Sequence, residues 1–514
     1  MVKHGLKKKI SNTTRIILYT WSGKIGVSLL IIFIILAAVV MVHYYPTVTT
    51  SYGRGVASYW IYNYPLNAPP CWSVHNKFKG FTISKDDLNT TGIKKSVITI
   101  PGIFGPKKIM GYKLTYTGRF IYTSNAFPSD ILMVTSLRTG VNLSYVKVLY
   151  YLERPDGSKI TLFNSTVETN KLILLYGSAG SQTGGKINLQ PLSLNSINKN
   201  SPIYPYLMSS LQRIHNNISL SSYKISDLML GTLVKDKTTG NIKLKPMKGN
   251  YTIYLSLEFL LEPGAKIDME RNKIGLEAFQ WKFMSNCYGL FGTDNVGRPI
   301  GLGLLLGVPY AFYIGFTVTF ISTFIGAIYG TLAGYWKDIK GEALMRVADI
   351  VNSLPFLPIL IVLSYVFRQT INLNMLAFLM IILFWAGPVI IVRSAALQIS
   401  EQLYIEAAKA SGASTSRIIL RHIFPQILPY TLAIAVLSIP GIIVTEAGLS
   451  LLGFGDPTAP TWGKMLQNAY DSQAVINGWW WTYLFPGLAL VVFSATFLLI
   501  GRAIEPLVAP KLQK

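Results

Sequence analysis

Glu406-Ala407-Ala408-Lys409-Ala410-Ser411-Gly412, followed by Arg421-His422-Ile423-Phe424-Pro425, is a polar island between two long apolar runs. The first half predicts a helix over Ser400–Ser411, with Ser400 as its cap, Glu401 and Glu406 toward the amino-terminal half, and Lys409 and Gly412 at its end. Ala407, Ala408 and Ala410 leave a surface almost without side chains, which another backbone can approach closely. Beyond Gly412, Ala413–Ser416 offers a second N-cap, and Arg417–Phe424 starts a helix that Pro425 and Pro429 deflect. The pattern reads as two short helices at an angle, a place for another protein to dock; the bland alternative is an ordinary interfacial loop.

The flanking apolar runs set the class. Half of the 514 residues are hydrophobic and only 14% are charged, and the mean hydropathy is +0.38. With several apolar stretches of roughly 20 residues, this places the chain among integral membrane proteins. The formal charge of +24 would raise the question of nucleic acid in a soluble protein. Here Lys3, Lys7, Lys8, Lys9, Arg15 and Lys24, with no acid among them, precede the first apolar run, as the positive-inside rule expects of a cytoplasmic tail over residues 1–24. Nucleic acid is therefore not an expected partner. Residues 25–45 follow as a first membrane helix, without the small-residue cleavage site of a signal peptide.

Residues 46–290 change character, being rich in Ser, Thr, Asn, Tyr, Gly and Lys with no run long enough to cross a bilayer. With the amino terminus inside, this insertion lies outside. Gly111–Tyr122, Val146–Glu153, Lys159–Phe163 and Tyr251–Phe259 read as strands, with Pro155-Asp156-Gly157 as a turn, so the insertion is expected to be a β-sandwich-like module with one short helix near Pro205–Asn216. Five N-x-[ST] sequons, at Asn89, Asn142, Asn164, Asn217 and Asn250, suit a glycosylatable exterior; chance in an Asn/Ser/Thr-rich segment is the alternative. Cys71 and Cys287 stand near its two ends. A disulfide between them would clip the base of the insertion to the membrane part, and two free thiols are the alternative.

Apolar runs return over 291–505, with spans expected at Val308–Tyr335, Leu354–Phe367, Leu376–Val392, Ile427–Leu449 and Tyr483–Ala503. Six crossings place the loop at 400–425 and the tail at 506–514 in the cytoplasm. Gly315, Gly326, Gly330 and Gly334 are expected to pack helices.

Glu-Ala-Ala, three residues, Gly, and then a proline resembles the EAA loop of permease subunits of binding-protein-dependent ABC importers, and Arg421-His422 before Pro425 resembles the oligopeptide and dipeptide branch. Three further segments are similar to that branch. They are Gly292-Thr293-Asp294 with Gly297-Arg298, the run Gly334-Tyr335 through Asp349 and Pro355, and Glu446 to Gly455 with Gly453, followed by Trp462-Gly463. Phe424 replaces the family Leu and Pro299 its Asp, so an ion pair at the latter is not carried over. The resemblance implies an α-helical membrane protein of type I ABC importer permease fold with six transmembrane helices, carrying an inserted, mainly β extracytoplasmic domain.

It also implies that Glu401, Tyr404, Glu406, Ala407, Ala408, Gly412, Arg417, Arg421, His422 and Pro425 couple the chain to an ATPase, with Glu406 as polar anchor and Gly412 as a turn at positive φ. Gly412→Asp would then abolish docking and transport but not membrane insertion. The implied partners are a second homologous permease subunit, two cytoplasmic ABC ATPase subunits or domains, an extracytoplasmic substrate-binding protein and membrane lipid; the setting is a multi-pass cell-membrane protein with both termini cytoplasmic. The cargo implied is peptides, or alternatively oligosaccharides or nickel. ATP and Mg would sit on the partners, because this chain has no G-x-x-x-x-G-K-[ST] loop: the stretch from Gly455 to Lys464 has the wrong spacing and ends in Met465. No metal site or catalytic group is expected from the scattered His4, His43, His75, His215 and His422. Glu446 reads either as a substrate contact or as a wet helix end. The insertion is expected to be a docking platform for a binding protein, and the composition has an archaeal look. A membrane sensor would need an output domain, for which the segment after Arg502 is short, and a secondary transporter would need repeats and paired intramembrane charges.

Overall fold

The computed structural model describes residues 20–43, 60, 63–100, 107–139, 143–167, 186–194, 197, 204–215, 223–235, 242–261, 274–367 and 371–508. The basic tail residues from Lys3 to Arg15, the sequons at Asn142 and Asn217, and residues 509–514 lie outside that set. The chain divides into two compact units: Tyr59–Gly297, and Met1–Ser58 with Arg298–Lys514. Among the described residues, the latter begins with helix α1 (Trp21–His43).

Tyr59–Gly297 is built on strands. In chain order they are β1 (Phe81–Ser84), β2 (Leu88–Ile100), β3 (Lys107–Tyr122), β4 (Ile131–Thr139), β5 (Leu143–Glu153), β6 (Lys159–Val167) and β7 (Lys186–Ser193), then helices α2 (Tyr204–Ile214) and α3 (Ile225–Leu230), then β8 (Gly231–Lys235), β9 (Ile242–Pro246), β10 (Gly249–Leu261) and β11 (Ile274–Phe283). They form a four-stranded sheet in the order β1-β11-β4-β7, a five-stranded sheet β2-β3-β10-β5-β6 and a ribbon β8-β9. All the pairings are antiparallel. Period-two alternation explains the layering. On β10, Tyr251, Ile253, Leu255, Leu257 and Phe259 are buried, and they meet Phe279, Trp281 and Phe283 of β11 in one core. Phe120 lies 5.1 Å from both Tyr251 and Phe283, so aromatic rings bridge the two sheets. On the opposite face of β10, Glu258 bridges Lys113 at 3.2 Å and Lys147 at 3.8 Å on the two neighbouring strands.

The helical unit continues with α4 (Ile300–Tyr335), α5 (Ile339–Ser353), α6 (Phe356–Val366), α7 (Leu373–Phe384), α8 (Ala386–Ser400), α9 (Leu403–Ala410), α10 (Thr415–Ile418), a π-helical segment Ile419–Ile423, α11 (Phe424–Leu451), α12 (Trp462–Asp471) and α13 (Trp481–Val508). Among the described residues, four stretches are long and apolar enough to cross a bilayer: α1, α4, Thr415–Leu451 and Trp481–Ile504. Two bent pairs, α5 with α6 at 74° and α7 with α8 at 41°, raise the number to six if each pair is one span. The expected span at Leu354–Phe367 is shorter than anticipated: the 11 residues of α6 rise about 16 Å, roughly half of a hydrocarbon core. Pro355 stands at the bend, where the missing N–H and the restricted residue before it break the helix.

Small residues bring these helices together. A Cβ on Gly330 would fall 2.8 Å from the Val389 carbonyl oxygen, and one on Gly334 would fall 2.7 Å from that of Arg393, so α4 lies directly on α8. Gly326 faces Trp385 and Pro388 in the same way, while Gly315 meets Ile439 and Ile443 of α11. Phe33 of α1 packs edge-on to Phe493 of α13 at 4.9 Å.

Candidate functional site

The helix after α8 begins two residues later than its sequence suggests, with Gln402 rather than Ser400 before it. Ser400 is buried at the end of α8 and donates to the Leu397 carbonyl at 2.8 Å, so it is not the cap of the next helix. Gln402 takes the N-cap position of α9, without a side-chain bond. Ser400 stays with α8, where it is buried.

At its other end α9 stops in a Schellman motif. Gly412 N donates to Lys409 O at 3.0 Å and Ala413 N to Ala408 O at 3.1 Å, with Gly412 at φ +77°. A Cβ at this position would meet nothing within 4 Å, so only the backbone conformation demands glycine here. The next segment is not a second free-standing helix. From Thr415 the chain runs through α10 and the π segment into α11 as one rod, Thr415–Leu451. Pro425 is the second residue of α11, directly after the π-helical segment Ile419–Ile423.

Burial splits this loop into two faces. Ile405, Ile418 and Ile423 are buried with Ala327, Val392, Ala396 and Ile427, tying the loop to α4, α8 and α11. Glu401, Glu406, Ala407, Gly412, Arg417, Arg421 and Pro425 are exposed, and Ala408 and His422 are half-buried. Leu403 is 81% exposed and Leu420 68%, so the outer surface combines charge with two unburied leucines. Tyr404 accepts a hydrogen bond from Gln426 Nε2 at 2.5 Å, Glu401 pairs with Lys337 at 2.9 Å, and Lys409 lies over the Tyr335 ring at 5.2 Å. Beside it a groove of about 630 Å³ is lined by Phe324, Ile328, Trp336, Ser414, Ile419 and Leu420.

At the other end of α11, Gly453 stands at φ +88° and repeats the same motif, with Gly453 N to Ser450 O at 3.0 Å and Phe454 N to Leu449 O at 2.8 Å. Glu446 is buried, 5% exposed, and accepts from Ser450 Oγ at 2.7 Å. The wet helix end is therefore overturned: the loop folds back over this carboxyl. Gly463 allows the return, since its Cβ would lie 2.7 Å from Ala447 Cα. Trp462 Nε1 donates to Leu304 O at 3.0 Å, fastening α12 to α4. Asp456, which sequence reasoning did not single out, accepts from Leu373 N at 2.9 Å and from Thr458 N at 2.7 Å, so it caps α7 from a distant loop. Burial holds the nearby Lys464 amine below the usual lysine range, against the pull of Asp471.

Gly292, Thr293, Asp294 and Gly297 lie in the β unit, where they act as a clasp. Thr293 Oγ1 donates to Pro65 O at 2.6 Å and accepts from Ala68 N at 2.9 Å, while Thr293 N reaches Ala68 O and Asn67 N reaches Asp294 O, each at 2.8 Å. Gly297, at φ +85°, passes Trp60 O and Tyr64 O at distances that a Cβ would reduce to 3.0 Å. Cys71 and Cys287 are bonded. Both belong to Tyr59–Gly297, so the disulfide closes the β unit on itself and is not a clip to the membrane part. Arg298 is buried in the helical unit, and Pro299 takes the N-cap position of α4.

Residues 322–513 match the family described as the binding-protein-dependent transport system inner membrane component. Similarity to curated proteins extends further. The oligopeptide transport system permease protein OppC of Bacillus subtilis (strain 168) is 33% identical over 226 residues, which is 44% of this chain and 72% of that protein. The chain belongs to this family. OppC of Escherichia coli (strain K12) is 34% identical over 238 residues, 45% of this chain and 77% of that protein, and the dipeptide transport system permease protein DppC of Bacillus subtilis (strain 168) is 29% identical over 225 residues, 44% of this chain and 69% of that protein. Among solved structures, an inward-facing MetNI methionine ABC transporter is 21% identical with a TM-score of 0.33, covering 41% of this chain and 98% of that one. As a binding-protein-dependent transport component, the chain is a multi-pass membrane permease whose family-matched region contains the entire exposed loop around Glu406.

Among the described residues no group of three or more His, Cys, Asp or Glu could hold a metal ion.

Proposed function

We propose that this chain is the permease subunit of an ATP-driven importer that passes peptides or similar solutes across the cell membrane, and that the loop from Glu401 to Pro425 is the seat of its ATPase. The observation that carries the reading is the two-faced loop. Its isoleucines are buried in the membrane helices, while Leu403, Leu420, Glu406 and the bare Ala407 remain on the surface. A force applied to that surface is transmitted directly, because the loop is continuous with the 37-residue rod Thr415–Leu451. ATP and Mg belong to two ATPase subunits or domains, and a second permease subunit completes the path.

The same reading places both termini and this loop in the cytoplasm, counts six spans with the two bent pairs, and puts Tyr59–Gly297 outside as a platform for a substrate-binding protein. The bonded Cys71 and Cys287 suit an oxidising exterior. The names of the relatives, which specify oligopeptide and dipeptide transport, support peptide cargo.

The test is Ala407→Asp in the complete transporter. Since Ala407 is exposed, the variant is expected to insert normally but to lose co-purifying ATPase and ATP-driven uptake of a labelled peptide by vesicles carrying the binding protein. Full ATPase retention with full uptake would sink the assignment of this loop.

A further inference from the structure

Asn89, Asn164 and Asn250 each begin an N-x-T sequence, and all three are exposed. The strand register puts them on one surface. Asn89 pairs with Thr117, Asn250 with Ile121 and Asn164 with Leu149. The alternating positions Leu114, Phe120, Tyr122, Val148, Tyr150 and Tyr251 fill the core. Thr117, Ile121 and Leu149, and with them the three asparagines, therefore point away from it, because directly opposed residues share a face. Thr252 follows Asn250 on the same face by the two-residue period, and Thr91 is exposed beside the bulge of β2.

Asparagine is a poor strand former, and elsewhere in this unit it is used for hydrogen bonding. Asn286 Oδ1 accepts from Phe78 N at 2.8 Å and Asn286 Nδ2 donates to Asn76 O at 2.9 Å. The carboxamides of Asn89, Asn164 and Asn250 make no hydrogen bond to any described residue, so neither strand propensity nor local bonding explains them.

We propose that the outward face of the five-stranded sheet is N-glycosylated at Asn89, Asn164 and Asn250. This rests on the exterior placement of the β unit proposed above. The donor is a lipid-linked glycosyl phosphate or diphosphate, used by a separate membrane transferase. The carboxamide nitrogen bonds to the anomeric carbon, the bond from that carbon to the phosphate oxygen breaks, the phosphate leaves with the electron pair, and the nitrogen gives up one proton. No oxidant or reductant is involved. Three glycans spread over strands β2, β6 and β10 close this face to a protein partner, so a binding protein must dock elsewhere on the unit.

The experiment takes full-length chain from the membranes of the cells that make it, digests it and weighs the peptides. Peptides holding Asn89, Asn164 and Asn250 are expected to carry hexose-containing additions, and those holding Asn76 and Asn286 none. Thr91→Ala, Thr166→Ala and Thr252→Ala should each remove one addition while leaving its asparagine in place. In parallel, intact cells are treated with a membrane-impermeant amine reagent directed at Lys113 and Lys147, whose side chains are 42% and 32% exposed. Labelled lysines with three unmodified asparagine peptides would overturn the glycosylation and leave the exterior placement standing. Unlabelled lysines with unmodified peptides would overturn both.

Discussion

The amide of Ala413 donates to the carbonyl of Ala408 at 3.1 Å, which folds the chain back around Gly412 at φ +77°. The direction in which the exposed loop leaves α9 depends on that bond. Because a Cβ at Gly412 would meet open space, substitution costs only the left-handed conformation, about 1–2 kcal/mol for an ordinary residue. Gly412→Val is expected to lower ATP-driven uptake several-fold, and Gly412→Asn, which tolerates this region, to stay near wild type. Equal uptake by the two variants would show that the turn is not limiting.

The disulfide joins residues 216 positions apart. Cross-links over long loops stabilise by about 2–4 kcal/mol, largely through the unfolded state. Reduction, or Cys71→Ala with Cys287→Ala, should lower the melting temperature of the β unit within the full chain. Thr293→Val, which strips two bonds from the adjacent clasp, should act more strongly in the reduced protein than in the oxidised one, and additivity in a double-mutant cycle would argue against a shared base.

Burial pushes Asp227 from 3.8 to about 6, with Lys224 and Ser226 opposing. The folded state thus holds a proton that the unfolded state has released, so this group stabilises below about pH 4, and the contribution is lost as pH rises toward 6. The difference is on the order of 2–3 kcal/mol. Burial pushes the His215 imidazole down, which gives a slope of the opposite sign, so the comparison must be with a variant. Asp227→Asn should melt higher than wild type at pH 7 and equal to it at pH 4. A constant offset across that range would exclude titration of Asp227 as the cause.

Gly463 packs so closely on Ala447 and Ser450 that an added Cβ would lie 2.7 Å from each. Gly463→Ala should displace α12 from α11 at a cost of about 1–3 kcal/mol and open residues 452–461 to protease. Gly478→Ala, at φ +72° with open space around it, serves as a control for backbone strain alone; identical digestion patterns for the two would remove the packing argument.

Much of the candidate site can be read from local chemistry. An alanine-rich helix ended by Gly412 follows from propensity and capping. Ser400 misleads because its burial in α8 is a tertiary fact, and a serine looks the same before either helix. Glu446 misleads for a similar reason: a carboxylate at the end of an apolar run suggests water until a fold-back of more than ten residues lays Gly463 against Ala447 and leaves the carboxyl buried. Asp456 gave no signal, because its partner, the amide of Leu373, is 83 positions away.

The sequence by itself determined the membrane class, the apolar stretches, the alternating strands of the insertion and the place of the exposed loop, since each rests on hydropathy, periodicity or turn chemistry within a dozen residues. Only the tertiary structure decided the strand order, the common face of Asn89, Asn164 and Asn250, the closure of Cys71 on Cys287 and the continuity of the loop with α11. Those depend on which distant segments meet, and a contact between residues 80 or 200 positions apart leaves no mark on either neighbourhood alone.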